Sequence, residues 1–291
     1  MQSYLQQHGL IGNDIETFYP RTRDRADIPV LRCRQTKVIF LGAAPENLAA
    51  YYGNRQPDND GTVSRTQLDG TQIVTVAPAD SQRRLDQFRT MLSGKRVCDF
   101  GTGHGLFLRY AQGLARECAG VELNRLQQDA LRADGIPVES SIEAFPPASF
   151  DVVSLFHILE HLQDPIGMLQ QIRSRLAPGG AVIVEVPHAR DFLFNTLGSE
   201  AFKAFTFWSE HLVLHTHASL ARVLALAGFS DVSIKGYQRY GLENHLHWLV
   251  KGKPGGQQSW AHLAEAELNG RYAGLLQSID ETDTLIAIAR L

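Results

Sequence analysis

Asp99-Phe100-Gly101-Thr102-Gly103-His104-Gly105 places an acid at the end of an apolar run and a glycine at every second position after it. Glycines so spaced let the backbone turn sharply and approach a ligand closely, at the head of a helix whose free N–H groups attract an anion. A dinucleotide fingerprint, G-x-G-x-x-G, needs glycine at position 106, where this chain has Leu106. Asp99 argues the same way, because a carboxylate there repels a pyrophosphate and suits a ligand that carries an ammonium group. Glu122 closes the next apolar run, where an acid can accept both hydroxyls of a ribose. Ribose, amine and carboxylate without a diphosphate are the groups of S-adenosyl-L-methionine.

These residues need a frame of strands and helices. Lys95–Phe100 reads as a strand, and Leu106–Glu117 as a helix with Leu106, Phe107, Tyr110, Ala111 and Leu114 on one face. A second strand, Ala119–Leu123, leads to a helix capped by Asn124 and stopped by Gly135. Ile136–Ser140, Phe150–Phe156 and Ala181–Val186 read as further strands. Asp164-Pro165 opens a helix whose inner face is Ile166, Leu169, Ile172 and Leu176. Strand–helix alternation with short connections predicts a mostly parallel sheet covered on both faces, an α/β Rossmann-like architecture. Residues 1–80 read as an N-terminal extension with a hairpin, Val30–Arg34 against Lys37–Leu41, and an exposed loop from Asn54 to Gly70. An amphipathic helix, Ser81–Leu92, leads into a core domain over 81–291. Beyond the strand Val232–Arg239, residues 241–280 read as a helical insertion before the last strand, Asp283–Arg290.

Four motifs, VCDFGTGHG (Val97–Gly105), VEL (Val121–Leu123), SFDVVSLFHILEHLQDP (Ser149–Pro165) and LAPGGAVIVEVP (Leu176–Pro187), follow in order. With them the sequence resembles the class I S-adenosylmethionine-dependent methyltransferases over about residues 81–239, with Asp283–Arg290 fitting the family's closing hairpin. The resemblance implies a seven-stranded sheet. It also implies that Asp99, Gly101 and Gly103, with Thr102 beside them, hold the methionine end of the cofactor. Glu122 and Leu123 would meet the ribose, and Ser141 and Ile142 the adenine; Ser141 stands where the family commonly has aspartate. Phe156 and His157 would lie beside the sulfonium, Phe156 reading equally as a strand-end packing residue.

Methyl transfer to a hydroxyl needs alignment, exclusion of water and a base. Histidine suits the last task near neutral pH, and eight of the 11 histidines lie between His157 and His247. The tightest cluster is Phe207-Trp208-Ser209-Glu210-His211, followed by His215 and His217. Its sequence resembles the stretch after the fifth strand in bacterial sugar methyltransferases, and in the deoxysugar C-methyltransferases an aromatic-x-Glu-His element there belongs to the active site. That resemblance picks out Trp208, Glu210 and His211; for a hydroxyl acceptor His211 is the expected base, with Glu210 orienting it, Trp208 a stacking surface and His157 the substitute base. It stops short of those enzymes' large C-terminal domain and their four zinc cysteines, since the N-terminal hairpin here holds only Cys33. His161 and His245 are further candidates for contact with the acceptor, although Glu160-His161 also reads as a packed pair. Lys251 and Lys253 could meet a phosphate or a sugar carboxylate. His215 and His217, beside the expected helix cap Thr216, read as capping or surface residues. A metal held by Glu210, His211 and His215 is the less favoured reading, and no metal is expected.

Charge and composition bound the acceptor. The 291 residues carry 28 Lys+Arg against 31 Asp+Glu, a formal charge of −3 that offers no general attraction for nucleic acid. Three cysteines without a C-x-x-C pair suit a reducing compartment. No run approaches the roughly 18 apolar residues of a membrane span, and the polar N-terminus does not read as a secretory signal. The expectation is a cytoplasmic methyltransferase for a small polar acceptor, foremost a sugar hydroxyl of a nucleotide sugar or surface-polysaccharide precursor. The aromatic run Phe202, Phe205, Phe207 and Trp208 supports a second acceptor, a quinone or polyketide phenol. A third reading is a non-catalytic domain that binds the cofactor. Exposed aromatics leave a homodimer open.

Overall fold

A computed structural model describes the backbone of residues 1–43, 62–66, 72–76 and 78–291, and the side chains outside 44–78. Its strands, in chain order, are β1 (Ile15–Tyr19), β2 (Val30–Cys33), β3 (Ile39–Leu41), β4 (Thr62–Thr66), β5 (Gln72–Val76), β6 (Arg96–Phe100), β7 (Glu117–Val121), β8 (Val138–Glu139), β9 (Phe150–Phe156), β10 (Leu176–Pro187), β11 (Val213–Leu214), β12 (Asp231–Tyr237) and β13 (Thr284–Arg290).

Seven of them form one sheet in the order β12-β13-β10-β9-β6-β7-β8. β10, β9, β6, β7 and β8 run parallel, and β13 is antiparallel to both β10 and β12. The parallel strands are apolar almost throughout because both faces are covered: Val152, Val153, Leu155, Val182, Ile183 and Val184 are all buried. The helices end where their caps predict. Asn124 accepts hydrogen bonds from the N–H groups of Leu126 and Gln127, Asp164 accepts from Gly167, and Pro165 takes the first helical position. The helix after the glycine turn is shorter than its pattern, ending at Ala111 because Gly113 and a turn precede β7.

The N-terminal region shares a sheet and a core with the rest of the chain. Its hairpin β2–β3 lies in a four-stranded sheet, β1-β2-β3-β11, whose last strand comes from residues 213–214. Leu5, Val30, Ile39 and Phe40 join the same apolar core as Val184, Leu212 and Leu220. The helix before β6 starts at Pro78 and buries Leu85, Phe88 and Leu92 as expected. Of the predicted loop 54–70, residues 62–66 instead form β4, paired antiparallel with β5; the remaining positions lie outside the described residues. The insertion is helical over Leu242–Lys251, Gly256–Ser259 and Ala266–Ser278. Among the described residues, no helix is long and apolar enough to cross a membrane.

Candidate active site

The chain runs from β6 outward through β7 to β8, then returns to β9 on the other side of β6. The crevice at the carboxyl ends of β6 and β9 is therefore the switch point where ligands bind in open α/β sheets. Asp99 and Ser154 meet there: the Ser154 hydroxyl donates to Asp99 Oδ1 at 2.6 Å. Burial lifts the Asp99 pKa to about 7, against the lowering effect of that hydrogen bond. Gly101, Gly103 and Gly105 all have positive φ, at +80°, +53° and +69°. A Cβ on Gly101 would meet Ile158 Cδ1 at 2.2 Å, whereas one on Gly103 would meet nothing within 4 Å, so the turn stays open on that side. Glu122 accepts from the backbone N–H groups of Gly103 and Asn124, each at 2.8 Å. The two bonds fix the carboxylate and leave each oxygen a lone pair for a ribose hydroxyl. Next to it Leu123 is 45% exposed, an apolar shelf on which a purine can lie. These groups fit S-adenosylmethionine: a buried acid for its ammonium, an open glycine turn, and a fixed acid for its diol.

Not every expected cofactor residue faces the crevice. Thr102 turns its methyl group onto Gly120. Ser141 caps the short turn 142–144, and Ile142 is buried in the core, which leaves only its main chain for a base. Phe156 packs between Phe88 and Phe107, with Arg84 over its ring, so it is a strand-end core residue.

His157, the first residue beyond β9, sits at φ +57°, a conformation that costs a non-glycine residue about 1–3 kcal/mol. Its Nδ1 lies 3.2 Å from Glu160 Oε1, and its Nε2 lies 3.2 Å from Glu185 Oε1 and from an Arg239 guanidinium nitrogen. Burial opposes charge on this imidazole, but the hydrogen bonds to Glu160 and Glu185 outweigh it and hold the pKa above the usual value. Glu185, fully buried within β10, also receives Arg83 at 2.8 Å and Arg84 at 2.7 Å, and its pKa stays well below the ordinary value despite burial. Asp80 pairs with Arg239 in turn. The start of helix 78–92 is thereby tied to the sheet edge beside His157. Sequence reasoning missed Arg83, Arg84, Glu185 and Arg239; the available signal was Glu185 itself, an acid alone in the apolar run Ile183-Val184-Glu185-Val186.

The segment 207–211 comes to the same place. His161 Nδ1 donates to the Glu210 carbonyl at 2.8 Å, and the His161 and His211 rings stand edge to face with centroids 5.0 Å apart. Donor atoms of Glu160, His161 and His211 lie within 4.8 Å of one another, a set able to hold a divalent cation. The Glu210, His211 and His215 trio weighed from the sequence is not the one that forms. His215 is fully buried beside Ser219, with its pKa pushed down to about 4 by burial, so it is neither a surface residue nor a ligand of that group.

Three other expectations are corrected. Trp208 lies beneath the Arg23 guanidinium and is buried, so it stacks on the N-terminal region and not on an open pocket. Phe207 belongs to a cluster with Phe18, Tyr19 and Phe194, and Phe202 and Phe205 pack on Trp248; the aromatic run is spent on packing. His245 is likewise internal to the insertion, stacked on Phe192 and bonded to Tyr272 and Gln238, with its pKa pushed down to about 4 by burial. Lys251 and Lys253 are exposed at the end of helix 242–251. A cleft of about 630 Å³ among Arg96, Gln112, Glu117 and Pro137 opens at the amino ends of β6 and β7, the edge away from these groups.

A methyltransferase domain model matches residues 78–234, and the chain belongs to that family: it is an S-adenosylmethionine-dependent methyltransferase. It is 32% identical over 178 residues to a ubiquinone biosynthesis O-methyltransferase of Ralstonia nicotianae, covering 55% of this chain and 72% of that protein. A protein of the same description from Psychrobacter arcticus is 28% identical over 177 residues, covering 55% and 68%. Among solved structures, a SAM-dependent methyltransferase from Archaeoglobus fulgidus aligns with a TM-score of 0.53 at 20% identity, over 74% of this chain and 95% of that one, which shows the shared fold. These relatives do not support the expected assignment to polysaccharide biosynthesis.

Proposed function

We propose that this protein methylates a phenolic hydroxyl on a small, quinone-type aromatic ring. The observation that carries the reading is the likeness to ubiquinone biosynthesis O-methyltransferases, one of them 32% identical. Acid–base arithmetic supports it. A phenol near pKa 10 lies about 3–4 units above an imidazole, and an aliphatic hydroxyl lies higher still. An imidazole cluster therefore suits a phenol better than a sugar hydroxyl.

In this reading Asp99 holds the cofactor ammonium, Gly101 and Gly103 admit its methionine end, Glu122 takes the ribose hydroxyls and Leu123 carries the adenine. The bound cofactor supplies an activated methyl group on a sulfonium. His211 would accept the phenol proton, with His161 as its neighbour and Glu210 contributing a main-chain carbonyl. His157, whose pKa the carboxylates of Glu160 and Glu185 raise, positions and polarises rather than acting as the base.

Purified protein, S-adenosylmethionine and a panel of catechols, hydroquinones and nucleotide sugars provide the test. S-adenosylhomocysteine should form with the ring acceptors, and mass spectrometry should find one added methylene on the acceptor. Turnover on nucleotide sugars with none on any phenol would overturn the acceptor class and return the sugar reading.

A further inference from the structure

At the carboxyl edge of the sheet, outside the cluster around Glu160, three polar atoms without a hydrogen-bond partner among the described residues converge: His188 Nε2, His217 Nδ1 and Asp280 Oδ1. They come from three separate elements. His188 directly follows β10, His217 opens the helix 217–226, and Asp280 lies between helix 266–278 and β13. All three atoms lie within 4.8 Å of one another, with Asp280 Oδ1 at 2.5 Å from His217 Nδ1 and 3.7 Å from His188 Nε2.

We propose that His188, His217 and Asp280 form a binding site for a divalent transition-metal ion of the zinc class. The strongest argument is the orientation of His188, whose side chain is fully buried. Its Nδ1 lies 2.9 Å from the Thr282 carbonyl, which can only accept, so Nδ1 carries the proton and Nε2 keeps a lone pair. That lone pair faces a carboxylate oxygen 3.7 Å away, and a cation between the two converts repulsion into ligation. A ring N–H held by a backbone carbonyl is also the arrangement that orients metal-bound histidines.

Asp280 is prepared in the same sense. Arg190 occupies Oδ2 at 2.9 Å and leaves Oδ1 to the two imidazoles. The His217–Asp280 pair is close but lacks hydrogen-bond directionality; a tetrahedral ion would hold the two atoms about 3.3–3.6 Å apart, so its binding requires these two partly exposed side chains to separate. Two nitrogens and one oxygen suit zinc, at about 2.0–2.2 Å each, and leave a fourth tetrahedral position open. The ion would clamp the exit of β10 and the approach to β13 onto helix 217–226.

The test uses the full chain, stripped with a chelator and dialysed, titrated with Zn²⁺ by calorimetry and with Co²⁺ by visible absorption. Wild type and His211→Ala, which removes a donor of the other cluster, should each take up one equivalent at this site with the intense Co²⁺ spectrum of a four-coordinate ion. His217→Ala and Asp280→Asn should lose that equivalent or bind it at least about tenfold more weakly. Zn²⁺ should raise the unfolding temperature of His211→Ala but not of the double variant His211→Ala/His217→Ala. His217 and Asp280 are each 35% exposed, so these variants test the site without emptying the core as His188→Ala would. Metal uptake unchanged in both His217→Ala and Asp280→Asn, or none in wild type, would overturn the proposal.

Discussion

Asp24 holds Ser209 twice, its Oδ1 accepting the backbone N–H at 3.0 Å and its Oδ2 the hydroxyl at 2.5 Å. Arg23, one residue earlier, covers Trp208 and donates to the Phe205 carbonyl at 2.6 Å. The N-terminal region thus sets the path of the segment that delivers His211. Asp24→Ala should cost about 1–3 kcal/mol, the range for losing hydrogen bonds to a charged group, measured by urea unfolding. It should lower kcat/KM for the acceptor while leaving S-adenosylhomocysteine affinity within about twofold. An equal loss in both would mean that residues 22–24 support the whole fold and not this segment.

Cofactor binding should depend on pH through Asp99. With a pKa near 7, the acid is partly protonated in the free protein at neutral pH, whereas a bound ammonium favours its ionised form. Binding therefore releases a proton. S-adenosylhomocysteine affinity should rise with pH, by up to about tenfold per unit below 7, and level off above it. Asp99→Asn should bind weakly and lose this slope in calorimetric titrations.

Gly101 and Gly103 share a backbone conformation but not an environment. Alanine at either pays about 1–2 kcal/mol for positive φ. At Gly101 the new methyl also collides with Ile158, at 2.2 Å. Gly101→Ala should thus weaken S-adenosylhomocysteine binding more than tenfold. Gly103→Ala should fold with only the conformational cost, and any further loss of affinity measures how closely the ligand approaches that turn.

His157 should titrate above an ordinary imidazole in a proton NMR experiment. Because folding raises this pKa, the stability it contributes is fully present below the unfolded value near 6.5, and disappears as pH rises through the folded value. Glu160→Gln removes one of the two carboxylates and should move the titration down. A His157 titration unchanged in Glu160→Gln would assign the shift to Glu185 alone.

Much of this molecule is written locally. The glycine turn, Asp99, Glu122, the Asn124 and Asp164 caps and the alternation of strands and helices are decided by neighbours within a few residues. Backbone conformation and hydrophobic period suffice to read them. The seven-stranded sheet follows, because parallel strands joined by helices have few ways to pack. What 207–217 faces was not local. Trp208 and His211 carry the same residue types whether they line a pocket or meet another segment, and the partner of Ser209 lies 185 positions away. His245 is spent on Phe192 and Tyr272, and Glu160 gathers His157, His161 and His211, only once the chain has closed. Side-chain chemistry was legible from the order of residues. Whether that chemistry is free or occupied depends on contacts between distant segments, which burial of the common core alone selects.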